Sequence, residues 1–156
     1  MKGSPQVIEA LNALLKDELT AQRQYFIHAR MLSEWGLHRI AARIAHEMED
    51  EAGHAEMLMN RILFLEGVPD MTSEPVDAGE TVPDILEKDL AVEYRVIANL
   101  RKAIALCERE GDYVSRGVLL KMLVDTEEDH THWLEQQLRL IDKVGLQNYL
   151  QTQMMP

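Results

Sequence analysis

At 156 residues the chain suits one domain with a real hydrophobic core, and its 46% hydrophobic and 28% charged residues exclude a disordered polymer. A net charge of -11 argues against a nucleic-acid partner and suits a protein that gathers cations. Cys107 is the only cysteine, so neither an intrachain disulfide framework nor a thiolate metal cluster can be built; Met1 to Pro5 carry no apolar signal stretch and no apolar run is long enough to span a membrane, so a cytoplasmic protein is expected.

The first helix is expected to begin at Ser4-Pro5, as N-cap and first helical residue, and to end before Gly36. Its apolar seam runs Leu11, Leu15, Glu18, Gln22, Tyr25, Ala29, Leu32. The second ends before Gly67 and its seam runs Ile40, Ile44, Glu47, Glu51, His54, Leu58. From Gly67 to about Val82 there is no helical period, and Pro69, Pro75 and Gly79 break the chain. The third helix starts near Pro83, runs through Leu86, Leu90, Glu93, Ile97, Leu100, Ile104 and Cys107, and stops before Gly111. Asp112 caps the fourth, whose seam is Leu120, Leu123, Glu127, His130, Leu134, Leu138, Ile141, ending at Gly145; Leu146 to Pro156 form a short fifth helix. Gly36, Gly67, Gly111 and Gly145 are each placed where a left-handed C-terminal cap calls for glycine.

Short connections make helices one and two, and three and four, antiparallel hairpins. Helices of about 30 residues are about 45 Å long, and 16 extended residues reach roughly 50 Å, so the middle segment can cross the whole bundle and leave helices two and three parallel. The expected fold is therefore all-α: a four-helix bundle with a long crossover between helices two and three and a short fifth helix, in a single domain over residues 1–156.

Each seam is interrupted by carboxylates. Glu51 follows Glu18 by 33 residues and Glu127 follows Glu93 by 34, so the halves repeat one design and the six residues Glu18, Glu51, His54, Glu93, Glu127 and His130 fall at one height. Burying one ionised carboxylate costs several kcal/mol, and four without partners would exceed a net stability of about 5 to 15 kcal/mol. No seam arginine or lysine compensates, whereas two divalent cations neutralise four glutamates. Glu-x-x-His, at Glu51 to His54 and Glu127 to His130, puts a carboxylate and an imidazole on one helix face. One such pair is a common accident of acidic helices; two on apolar seams, each matched by a seam glutamate, are specific. The mixed nitrogen and oxygen set suits iron or manganese, with zinc as a competitor.

Glu47 and Gln22 are expected to hydrogen-bond ligands rather than to ligate. Tyr25 either packs or donates an electron. His28, His38 and His132 lack comparable partners and are assigned surface or structural roles, and the nine methionines are assigned to core packing and the tail.

With these positions placed, the chain resembles the bacterioferritins over nearly its whole length, through MKGSPQVIEALNALLKDEL, QYFIHARM, RILFLEG, DYVSRG and GLQNYLQ as well as the six motif residues. The resemblance implies a ferritin-like fold and a ferroxidase centre of Glu18, Glu51, His54, Glu93, Glu127 and His130, with Glu51 and Glu127 bridging. It implies an accessory iron site at His46 and Asp50, and it matches Tyr25 to an electron-donating tyrosine. The implied function is iron storage and detoxification: ferrous iron is oxidised by oxygen or peroxide at a di-iron centre and stored as mineral in a homo-oligomeric cage of twenty-four subunits. One departure concerns haem b. The family's haem-ligating methionine precedes the first motif histidine by two residues, and Ala52 stands there; Met48, one turn away, does not occupy the matching place. A haem-free subunit, or one assembling with a haem-binding sister subunit, is implied. Two other functions compete: a di-iron oxidase or peroxidase acting on another substrate, and a metal-free helical scaffold.

Overall fold

The computed structural model describes residues 1–155 and is all-helical among them. Helix α1 spans Pro5–Glu34, α2 His38–Phe64 and α3 Val82–Arg109; α4, Tyr113–Asp125, runs through a wide π-helical segment, Thr126–Thr131, into α5, His132–Val144; α6 spans Leu146–Gln153. The expected fourth helix is thus one rod in three parts, and the short terminal helix is present, with Pro156 outside the described residues.

Local chemistry explains most boundaries. Thr81 accepts from the Asp84 backbone N–H and Asp112 from that of Ser115, the two side-chain caps that start α3 and α4. Ser4 precedes Pro5 as expected, but its hydroxyl donates to Glu110 instead of capping. After α2 the left-handed residue is Glu66, at φ 65°, not the expected Gly67. Glycine is needed at 67 for space: a Cβ there would lie 2.7 Å from Ile8 Cγ2.

The crossover lies along α1, running in the same direction. Asn12 donates to the Val68 carbonyl and accepts from the Asp70 N–H, Thr20 accepts from the Glu74 N–H, and His28 Nε2 accepts from the Gly79 N–H at 2.9 Å. These three anchors, eight residues apart on α1, carry the chain from one end of the bundle to the other, so α3 starts beside the end of α1 and runs parallel to α2. His28 is fully buried, and its Nδ1 lies 2.8 Å from Asp89. Because Gly79 occupies Nε2 as a donor, Nδ1 carries the proton and donates to Asp89, which also accepts from Gln24. The expectation that His28 has no partner is corrected: Asp89, on α3, supplies one.

The seams of α1 and α2 are buried as expected except that Gln22 is half-exposed. In the fourth rod the buried residues before the metal level are Ser115, Leu119, Met122 and Thr126, the last three one position ahead of Leu120, Leu123 and Glu127. The wide turn carries one extra residue, after which His130 and Leu134 are buried as expected.

Candidate metal centre

Three rods deliver carboxylates, and the fourth an imidazole, to a level where their neighbours are apolar. Glu18 is placed by α1 between Leu14, Leu15 and Ala21, Glu51 and His54 by α2 between Ile44 and Leu58, and Glu93 by α3 between Val92 and Val96; all are buried. His130 enters from the π segment and is 1% exposed.

Two groups of ligating atoms result, each gathered within 4.8 Å: Glu18, Glu51 and His54, and Glu51, Glu93 and His130. Glu51 belongs to both. Its Oε2 lies 3.3 Å from His54 Nδ1 and its Oε1 2.8 Å from His130 Nδ1, so one carboxylate spans the two halves. Glu18 Oε2 is 3.7 Å from His54 Nδ1, and Glu93 Oε1 is 3.6 Å from His130 Nδ1. The imidazoles are stacked, with centroids 5.8 Å apart. Both Glu18 oxygens are buried without a hydrogen-bond partner. Orphaned carboxylate oxygens at this depth are costly, and a cation is the partner that the surrounding donor set fits.

The far nitrogens of both imidazoles are oriented by acids. His130 Nε2 is 2.7 Å from Glu47, which Arg43 contacts at 2.5 Å, and His54 Nε2 is 3.2 Å from Asp125. A carboxylate behind a ligating histidine fixes the ring and directs the opposite nitrogen to a metal. Glu47 therefore stands where expected. Asp125 and Arg43 were not anticipated: Asp125 meets His54 from α4, a pairing no local spacing marks, whereas Arg43 stands four residues before Glu47 on α2, a local pairing the seam reading passed over.

Electrostatics record the crowding. Burial, then the Glu51 charge, pushes Glu18 well above the carboxylate range and Glu93 up to about 7. Glu51 is also penalised by burial, but Glu18, His130 and His54 outweigh this and hold it below its ordinary value. Burial disfavours a charged His54, yet Glu18 and Glu51 raise it to about 11; His130 is raised likewise, against burial, by Glu47, Glu51 and Glu93. Protons thus do in part what cations would do. The Tyr25 hydroxyl, buried, donates to Glu93 Oε1 and so touches the centre directly.

Glu127 is the one expected ligand not brought in. Its side chain is 37% exposed and pairs with Arg101 Nη2 at 2.6 Å. The expectation assumed α-helical spacing from Glu127 to His130; the π turn, in which backbone pairing reaches one residue further, rotates the two apart. His46 and Asp50 do meet, Nε2 to Oδ2 at 3.4 Å, on the open side of His130, where Glu47, Asp50, Asp129 and His130 form a further group of ligating type. Ala52 is half-buried and has no ligating atom, while Met48 lines two grooves with Phe26 on the face formed by α1 and α2. These residues do not fit the methionine-ligated haem. His38 and His132 are exposed, in keeping with surface roles. No described helix is long and apolar enough to cross a membrane.

Residues 8–144 match the ferritin-like domain. The chain is 58% identical to a bacterial ferritin of Synechocystis sp. over 99% of both chains, and 54% identical to one of Pseudomonas aeruginosa over 98% of this chain and 99% of that one. A bacterioferritin of Brucella melitensis is 42% identical over 100% of this chain and 97% of its own. With α3 running parallel to α2 after a long crossover, doubled carboxylate and histidine halves and relatives matched end to end, the chain belongs to the bacterial ferritins, within the ferritin-like family.

Proposed function

We propose that this protein stores iron, oxidising ferrous ions in pairs at the centre of Glu18, Glu51, His54, Glu93, Glu127 and His130. The observation that carries the reading is the Glu51 carboxylate, with one oxygen in each of two histidine-containing groups, beside orphaned Glu18 oxygens. Family membership supplies the storage context.

Ferrous iron is the substrate. Each ion gives up one electron, so two ions together reduce oxygen to peroxide, or peroxide to water, with two protons consumed and no one-electron product released. The chain's own groups perform three tasks. Glu18 and His54 on one side, and Glu93 and His130 on the other, provide a carboxylate and an imidazole for each ion, and Glu51 spans both. Glu47 and Asp125 keep the imidazoles turned inward. Protons held on the histidines and on Glu18 and Glu93 leave as cations enter, so charge in the core stays balanced. His46 and Asp50, beyond His130, are in this reading an accessory site toward the mineral. Assembly into a cage of twenty-four, alone or mixed with a haem-binding sister subunit, belongs to the same proposal.

Ferrous iron added to the full-length protein, with oxidation followed by absorbance and retained iron counted per chain, tests this. Retention of many more irons than two per chain supports storage; saturation at two selects a di-iron enzyme with another substrate, and no bound iron selects a scaffold.

A further inference from the structure

Arg101 lies on α3, two turns beyond Glu93, and is largely exposed; its guanidinium approaches Glu127 Oε1 at 2.6 Å. Glu127 sits in a segment touching both halves of the centre. Asp125, two residues earlier, reaches His54, and His130, three residues later, reaches Glu51 and Glu93. Its backbone is thus at the level of the centre, while the phase set by the π turn carries its side chain to the outer face, against Arg101.

We propose that Arg101 is a positioning residue for Glu127, competing with the metal pair for its carboxylate, so that the fourth glutamate is held at the rim until cations load. This rests on the function proposed above. The physical reason is charge. Glu18, Glu51 and Glu93 are already gathered in the core, all buried, with Glu51 in both groups of ligating atoms. A fourth carboxylate turned inward before cations arrive would add a like charge at short range. Against Arg101 it has an opposite charge and solvent instead. An exposed ion pair is weak, so two divalent cations can outcompete it, and the π turn supplies the altered helical phase that lets Glu127 reach the rim.

Cobaltous ion, bound under argon, is the probe: its absorption bands report coordination without turnover. In the full-length protein, Arg101→Gln is expected to tighten Co(II) binding by about two- to five-fold, the weight of one exposed ion pair. Arg101→Lys, which keeps a charge for Glu127, is expected to stay near the native affinity. Glu127→Ala weakens binding and alters the bands; in that background Arg101→Gln is expected to change nothing. Three results overturn the proposal: no tightening in the native background, equal tightening in both, which would reduce Arg101 to a general repulsive charge, or Glu127→Ala binding Co(II) as the native chain does. In each of these, two Co(II) ions per chain would leave the centre itself standing, whereas absence of Co(II) binding would remove both readings.

Discussion

Glu51 places one oxygen on each side of the centre, and everything at the residue scale follows from the cost of keeping such groups buried. Removing Glu18 deprives one ion of charge and ligand while relieving repulsion in the cation-free chain. Glu18→Ala is therefore expected to slow ferrous oxidation by more than about tenfold, since even orienting partners of ligands are worth that much, with little loss of melting temperature; Glu127→Ala should behave alike. Stopped-flow oxidation and thermal melts of both variants check this. The sign of the pH dependence also follows. Glu18, Glu93, His54 and His130 all have raised folded values, so their contribution to stability is complete below the unfolded values, 4.5 and 6.5, and is lost as pH rises through the folded ones, about 7 for Glu93 and about 11 for His54. The melting temperature of the cation-free protein is expected to fall between pH 6 and pH 9, with saturating Co(II) flattening the slope because bound cations replace the protons. A melting temperature that rises over this interval without Co(II) would contradict the assignment.

At the scale of elements, the crossover is an ordered strap and not slack chain. Its Gly79 N–H ends on His28, and the same imidazole donates to Asp89 at the start of α3, so one side chain ties α1, the crossover and α3 together. His28→Ala leaves the buried Gly79 N–H without its acceptor and the Asp89 carboxylate with only Gln24, at a cost of about 1 to 3 kcal/mol. The expected outcome is a lower melting temperature together with faster amide exchange in residues 74–81; stability loss without faster exchange there would show that the strap is held by its other anchors. The segment Thr126–Thr131 is the other informative element. A turn of π-helix inside a long rod lets Leu119, Met122 and Thr126 pack before it and His130 and Leu134 after it, which a regular helix through the same residues would not.

At the scale of the whole molecule, assembly and haem are linked. The face of α1 and α2 that carries Phe26, Ile27 and Met48 is apolar and exposed or half-exposed in the single chain. In the proposed cage such surface meets neighbouring subunits, and the purified chain is expected to sediment as a large particle at micromolar concentration; a monomer would contradict the proposal. That cage, made of this chain alone, is expected to bind little haem, because Ala52 supplies no ligand. Met48 stands one turn earlier, displaced about 6 Å along the axis. Haem titration of the native homopolymer and of Ala52→Met checks this: tight stoichiometric binding before the substitution, lost in Met48→Leu, would assign ligation to Met48.

The sequence by itself determined the four rods, their pairing, the crossover and five of the residues that meet at the centre, because each leaves a local mark: an apolar seam of period near 3.6, a glycine or capping residue at its end, or a charge in a seam where charge is expensive. The doubled offset, read on Glu18 to Glu51 and Glu93 to Glu127, carried the equal height of the halves without any contact being known, though Glu127 itself turns outward. Tertiary structure alone decided the rest. The acid behind His54 is Asp125, the partner of buried His28 is Asp89, and Glu127 turns to Arg101, all pairings across separate helices. Helical periodicity reads one rod at a time and presumes a constant turn. It has no access to which rods touch, or to a π segment that shifts the phase of a rod halfway along its length.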